Sequence, residues 1–477
     1  MATQREERKQ DRSVDVVVIG SGIGGLCAAA IAAKNGHEVV VCESHTTPGG
    51  AAHGFERDGY HFESGPSFYT GFTPEHSGNP LRQVLDQIGE RVPGVAYETW
   101  DFHFPDGSVF IGSSSRDICH EQIRKFSGEN GLAQWVALEE RLAKPLEGEE
   151  YVKPYSWLVD QYIDHPFLKT YCDFDCFLLS GMDAGGTPLP EMHFMFAERY
   201  ESAVDYPLGG SQAVVDALVR GIERLGGKVL LGAHVESILV EGGRAAGVQL
   251  RRGGRIDAAR AVVSNASVWD TIGLVPDGAV PDDYRRDCES APQTESIVHL
   301  HLGIDASGLD DALGIHHVVL ESWDVTAPQN VVNICIPSVI DPAMAPPDHH
   351  VIHAYTAGNE PYSVWEGVKP KSAQYEQMKE ERSQVLWRGL EKIIPDVRER
   401  AEIALVGTPL THERYLRRHR GTYGAGYRAD EGRMFPGAAT PLEGLLCCGD
   451  STMPGIGVPA VAMSGMVAAN TIGPKGR

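Results

Sequence analysis

The sequence predicts an α/β fold: a parallel sheet opening on a βαβ unit, with a second α+β domain of antiparallel sheet plus helices. Three observations predict it. A β-branched run, 15–20, ends at a glycine-rich turn and leads into an alanine-rich segment. A second apolar run, 37–43, follows within a few residues, as a parallel neighbour does in a βαβ unit. The stretch 290–405 instead alternates short β-branched runs with one long helical segment.

Each element has its own signal. The run 15–20 (DVVVIG) is a short β-branched run ending at Gly, which marks a buried strand. Residues 23–35 are alanine-rich and read as a helix with Gly36 as its C-cap. The run 37–43 is the second buried strand. Residues 100–112 read as a hairpin around Pro105-Asp106-Gly107. Residues 129–147 have the spacing of an amphipathic helix. The aromatic-rich stretch 150–200 contains Gly181, Gly185, Gly186, Pro188 and Pro190 and assigns no clear elements. A helix over 213–225 follows the turn 207–211; 228–253 reads as a strand, and another strand ends at 262–265. Strands are expected over 296–304, 316–322, 330–336 and 349–357, with a helix over 371–394. The tail reads as a strand (444–450), a tight turn and a helix (460–472).

Composition bounds the function. The chain has 477 residues, 42% hydrophobic and 22% charged, which is globular and excludes wholesale disorder. Its net charge of −23 argues against nucleic-acid partners, because phosphate binding needs a basic footprint. The nine cysteines show no CxxC and no zinc spacing, so reduced thiols in a reducing compartment are expected. No run of 18 apolar residues is present. The first dozen residues lack the apolar core of a secretory signal, so they read as a disordered or trimmed terminus of a protein that is not secreted. No G-x-S-x-G elbow, H-E-x-x-H or P-loop supports a hydrolase or kinase.

The chemistry starts at Gly20-Ser21-Gly22-Ile23-Gly24-Gly25, a G-x-G-x-x-G placed between strand and helix. Gly20 permits the tight turn, Gly22 lets the backbone approach a pyrophosphate, and Gly25 permits close helix–strand packing. The helix N-terminus faces the anion. Glu43 ends the second strand, placed for ribose hydroxyls, and an acid there disfavours a 2′-phosphate. Gly20, Gly22, Ile23, Gly24, Gly25, Glu43 and Ser44 are therefore candidate dinucleotide contacts.

Further on, Gly49-Gly50, Asp58-Gly59, Phe62 and Gly65-Pro66 complete the pattern E-x5-GG-x7-DG-x-x-F-x-x-GP. This resembles the amine-oxidase and phytoene-desaturase class of flavoproteins. The resemblance implies FAD as cofactor, held also by Gly49, Gly50, Ala51, Ser64, Gly65 and Pro66. It implies the same of Gly449 and Asp450, with Asp450 accepting from ribityl hydroxyls. Gly457, Val458 and Pro459 would open a helix toward the flavin N1–C2=O edge, and Val235 and Asn265 would lie near the adenine and the returning strand. A Rossmann-type FAD-binding domain is then built from 13–80, 205–285 and 405–477. Residues 81–204 and 286–404 would form the substrate domain with a membrane-docking lip.

The segments 49–71, GTPLTHERYLRRHRGTYGAGY (407–427) and 445–471 resemble the carotenoid isomerase (prolycopene isomerase) branch. That likeness implies cis–trans isomerisation of a long apolar polyene by reduced flavin, without net redox change. The alternatives are a carotenoid or retinoid desaturase, a saturase or a xanthophyll-modifying enzyme, and a carotenoid carrier without turnover. Glu63, Tyr69, Glu413 and Tyr423 are the acid–base candidates, chosen for nearness to the cofactor motifs. The aromatics Tyr151, Tyr155, Trp157, Phe167, Phe174, Phe177, Phe194 and Phe196 are the candidate tunnel lining or lip. A polyene substrate implies a peripheral membrane surface, in a plastid or on the cytoplasmic side. Oligomeric state stays open.

Other features have plainer readings. His299 and His301 share one strand face with no third histidine or acid evident, so no metal is expected there. His316-His317 and His349-His350 read as exposed, and Cys172 and Cys176 as two thiols on one helix face. The cluster Arg414, Arg417, Arg418, His419 and Arg420 suits either lipid headgroups or a solvated face.

Overall fold

The computed structural model describes residues 11–310 and 312–476, so the expectation for the extreme N-terminus lies outside the described residues. The first sheet forms around strands whose buried positions are largely Val, Ile, Ala and Leu. Arg12–Ile19 pairs in parallel with Val39–Cys42 on one side and Arg255–Ser264 on the other. Lys228–Leu230 extends it beyond Val39–Cys42, and Leu445–Cys447 joins in parallel at Arg255–Ser264. Arg244–Leu250 and Val235–Glu241 complete it as an antiparallel edge. The segment 228–253 is thus three strands rather than the single one expected. Gly242 and Gly243, both at positive φ (59° and 82°), make the turn between the last two.

Helix Ile23–Lys34 buries all but its last residue against this sheet. Gly36 follows its Asn35 C-cap with a φ of 90°. The last helix, Val458–Ile472, packs on it through small residues: a β-carbon on Gly465 would lie 2.3 Å from the Gly24 carbonyl oxygen.

The second sheet is antiparallel apart from one junction. Its order runs from Ala401–Gly407 through His299–Asp305, His349–Thr356, Val331–Cys335 and His316–Leu320 to the hairpin Thr99–His103 and Val109–Ser113. The hairpin joins through a parallel pairing in which His317 stands opposite Asp101. Helix Ala373–Glu391 covers the sheet with Leu386 and Leu390. His316 and His317 are buried strand residues, not exposed ones, because both faces of their strand are covered.

The stretch without assigned elements is helical: Tyr155–Tyr162, Pro166–Ser180 and Leu189–Arg199. Its prolines sit at helix starts, where the missing N–H costs nothing, and Gly181 terminates a helix at φ 71°. The neighbouring helix runs over Arg116–Leu142 rather than 129–147, broken at Gly128 and stopped ahead of Lys144-Pro145. These helices bury Tyr155, Phe174, Phe177 and Phe196 in a core with Phe102 and Phe110. Half of the aromatics expected to line a lip are therefore buried core, with Phe167 packed against it, because the helices turn these rings inward. Only Tyr151 and Trp157, beside Val152, are exposed. Cys172 and Cys176 are buried free thiols of helix Pro166–Ser180.

Candidate cofactor and active site

Local chemistry locks the first glycine turn. Glu43 accepts from the Ser21 N–H (2.8 Å), the Ser21 hydroxyl (2.6 Å) and the His45 N–H (2.7 Å). The Gly49 N–H in turn donates to the Ser21 carbonyl (3.0 Å) and lies 3.2 Å from its Oγ. Ser21 thus ties the first turn to the second strand's acid and to the double glycine. Gly22, the N-cap of helix Ile23–Lys34, offers no side chain, and the first turn holds no acid. Its N–H groups are left for an anion.

The glycines are required by approach as well as by conformation. A β-carbon on Gly22 would lie 2.5 Å from Asn265 Nδ2, and one on Gly24 2.7 Å from Asn265 Oδ1. Gly25 plays a different part: its β-carbon would lie 2.3 Å from the Gly20 carbonyl oxygen, so it serves helix–strand packing. From the far end of the sequence, the Gly449 N–H donates to Ser464 Oγ (2.8 Å), and a Gly449 β-carbon would meet Asn265 Oδ1 at 2.9 Å. Gly457 is the uncapped start of the last helix.

These segments enclose one cavity of about 790 Å³. It is lined by Gly20, Gly22, Ile23 and Gly24, by Glu43 and Ser44, and by Gly49, Gly50 and Ala51. Ser64, Gly65, Pro66, Val235, Asn265, Gly449, Asp450, Gly457 and Val458 complete its wall. Gly25 and Pro459, also expected as contacts, are not part of its lining. A long groove with two uncapped helix starts, a glycine floor and a fixed carboxylate fits a dinucleotide of FAD's size.

Two of the acid–base candidates lie elsewhere. Glu63 is 3% exposed and accepts from the Tyr206 hydroxyl (2.7 Å), the Ser211 N–H (2.7 Å) and the Ser211 hydroxyl (2.8 Å). Burial raises its pKa, and the Ser211 and Tyr206 bonds offset this only in part. The Tyr69 hydroxyl donates to Ser211 (2.7 Å), and burial pushes its pKa far up. The strand Tyr60–Glu63 alternates faces, so Ser64 meets the cavity while Glu63 turns into the protein. Glu63 and Tyr69 are thereby corrected from the reacting centre to a buried support.

Glu413 and Tyr423 do line the cavity. Glu413 is exposed and receives the Tyr362 hydroxyl (3.0 Å). Burial raises the Tyr423 pKa, with Arg418 opposing, so its hydroxyl stays protonated at neutral pH.

Sequence reasoning left the role of the basic cluster open. Arg417, Arg418, His419 and Arg420 all line the cavity. Arg418 pairs with Asp450 and donates to the carbonyls of Thr422 (2.7 Å) and Tyr423 (2.5 Å), so one Asp450 oxygen is already engaged. His419 stacks on Trp269 at 4.7 Å. The signal was there, since five basic residues within seven positions are conspicuous in so acidic a chain.

His299 also has more company than expected. His353 Nε2 lies 3.1 Å from His299 Nδ1, His412 Nε2 meets His299 Nε2, and His301 donates through Nε2 to the Glu63 carbonyl (2.8 Å). Only the fold could show this, because His353 and His412 come from other elements. All four are buried, and burial lowers their pKa values, His301 to about 4 and His412 to about 3, so the rings are neutral. His412 is the cluster's member on the cavity wall.

The family model of flavin containing amine oxidoreductases matches residues 23–473. The chain belongs to this family. The flavoprotein is 33% identical to prolycopene isomerase 2, chloroplastic, of an Oncidium hybrid cultivar, over 96% of this chain and 83% of that one. It is 32% identical to the Arabidopsis thaliana prolycopene isomerase, chloroplastic (96% and 82% covered). All-trans-retinol 13,14-reductase of Macaca fascicularis is 28% identical over 93% of this chain and 84% of that one. Among solved structures, an oxidoreductase from Methanosarcina mazei superposes with a TM-score of 0.69 at 22% identity (95% and 99% covered). Putrescine oxidase bound to putrescine does so with a TM-score of 0.65 at 17% identity (96% and 98% covered). The expected architecture is thus that of FAD-dependent oxidoreductases, the cofactor is FAD, and the chain is an enzyme of that class.

Proposed function

We propose that this flavoprotein isomerises a cis-carotenoid to its trans form with reduced FAD as the active cofactor. The observation that carries the reading is its one-third identity, over nearly the whole chain, to proteins named prolycopene isomerase. In the proposed arrangement Gly20, Gly22, Ile23 and Gly24 hold the pyrophosphate, and Glu43 and Ser44 the ribose. Val235 backs the adenine and Asp450 the ribityl chain. Gly49, Gly50, Ala51, Ser64, Gly65 and Pro66 lead toward the ring, and the helix start at Gly457 and Val458 faces its N1–C2=O edge. Residues 13–80, 205–285 and 405–477 form the FAD domain, and 81–204 and 286–404 the substrate domain.

When bound and reduced, FAD supplies the transient electron or proton that lowers the order of a polyene double bond. The protein's part is positioning and charge. Tyr423 holds a proton at its Oη beside the cavity, and Arg417 adds positive charge to its wall, where Arg418 is paired with Asp450. Among the described residues no helix is long and apolar enough to cross a membrane. The exposed patch of Tyr151, Val152 and Trp157 is our candidate for peripheral docking, in a plastid as for the chloroplastic relatives, or on a cytoplasmic face. Liposome flotation without lipid association would remove the docking proposal.

The retinol reductase relatives favour a second reading, net redox or hydration of a carotenoid or retinoid. One experiment separates the two. The purified protein is incubated anaerobically with a panel of cis-carotenoids, with and without dithionite, and products are resolved by chromatography and mass. Isomer-only products, dependent on reduction, are expected. A mass change of two hydrogens or of water replaces isomerisation with the second reading.

A further inference from the structure

Outside the residues that line the FAD cavity, where the hairpin Thr99–His103 and Val109–Ser113 joins the antiparallel sheet, three side chains converge. Asp101 and His103 are two apart on one strand and so share a face. His317 stands directly opposite Asp101 on the parallel neighbour. The ligand atoms of the three lie within 4.8 Å of one another. We infer that Asp101, His103 and His317 form a binding site for a divalent cation of the zinc class.

The distances carry the argument. His317 Nδ1 is 3.4 Å from Asp101 Oδ2 and 3.4 Å from His103 Nε2. Those separations exceed the ~2.7–3.2 Å of good hydrogen bonds. They match the spacing of ligand atoms on a tetrahedron about a zinc ion, roughly 3.3–3.5 Å for bonds of about 2.0–2.2 Å.

Proton bookkeeping points the same way. His317 Nε2 is 3.1 Å from the Gly314 carbonyl, which can only accept, so Nε2 carries the hydrogen. With Nε2 so engaged, Nδ1 is the ring nitrogen left facing the Asp101 carboxylate, where a cation between the two would bind both. A metal-bound imidazole held by a backbone carbonyl through its other nitrogen is a recurrent arrangement. The site also suits a cation by charge and access. It supplies a carboxylate, and the Asp101 side chain is 37% exposed, which leaves a fourth position for water. The trio His299, His301 and His353 also has close ligand atoms, but it is fully buried and lacks an anion. Bound metal would clip the hairpin to the one strand with which it pairs in parallel.

The test uses the FAD-loaded protein, stripped with EDTA, freed of chelator and titrated with Zn²⁺ alone. Bound metal is read by calorimetry and elemental analysis, and the melting temperature is followed. We expect one equivalent bound at this site and a rise in melting temperature. Asp101→Asn and His103→Asn, both at partly exposed positions, each weaken that binding at least ~10-fold and abolish the rise, with flavin absorbance unchanged. Failure of the wild type to bind Zn²⁺, or variants that bind it as tightly as the wild type, overturns the assignment.

Discussion

The Asn265 side chain lies where a β-carbon on Gly22 would be, only 2.5 Å from its Nδ2, and the same side chain borders Gly449 from the other end of the sequence. One residue just past the strand Arg255–Ser264 thus borders two glycine turns of the cavity wall. Gly22→Ala is expected to yield colourless protein that neither retains FAD through purification nor takes it up when supplied. Gly437→Ala, at a glycine with nothing within 4 Å, should keep its flavin and its stability to within about 0.5 kcal/mol. Absorbance at the flavin band and thermal melts read both.

Glu43 binds the first turn and the residues after the second strand at the same time. Glu43→Gln keeps the shape but turns an NH₂ group toward either the Ser21 or the His45 N–H, both donors. A fall in FAD affinity of about 10–100-fold is expected from one or two lost charge-assisted bonds. Fluorescence titration of the stripped protein with FAD measures it, and unchanged affinity would remove Glu43 from the ribose site.

Glu191 gives a pH dependence with a definite sign. Burial pushes its carboxyl up to about 8, and its buried Oε2 has no hydrogen-bond partner. The folded state therefore holds a proton that the unfolded chain releases near the ordinary carboxylate value of 4.5. Its contribution is complete below that pH and is lost as pH rises toward 8 and beyond. Glu191→Gln should be more stable than wild type at pH 9 by on the order of 2–4 kcal/mol, and indistinguishable from it at pH 4. Denaturant melts across the range decide it; parallel wild-type and variant profiles would show that Glu191 is not the responsible group.

Tyr423 and Glu63 are expected to separate by phenotype. Tyr423→Phe should lower turnover by about 100-fold while FAD content stays the same. Glu63→Gln should lower the melting temperature by disturbing the Ser211 and Tyr206 bonds, with turnover per folded molecule preserved. Full turnover in both Tyr423→Phe and Glu413→Gln would move proton donation to another group.

What the sequence disclosed was local. The first turn, its flanking strands and the Gly449-Asp450 turn announce themselves, because backbone approach to a phosphate demands glycine at fixed offsets. The face of Glu63 was not legible, since a strand's last residue can turn either way. Nor was the gathering of His299 with His353 and His412, which sequence separations of 54 and 113 conceal. The helices of 155–199 were obscured by prolines that look like breakers and serve as helix starts.

The last helix, Val458–Ile472, nests on the first, Ile23–Lys34, at the Gly465–Gly24 contact. During synthesis the opening strand, turn and helix must therefore wait for more than four hundred further residues before their pocket has a second wall. Flavin capture is expected late, after release from the ribosome, and nascent chains halted before residue 445 should emerge without pigment however well their earlier segments have folded.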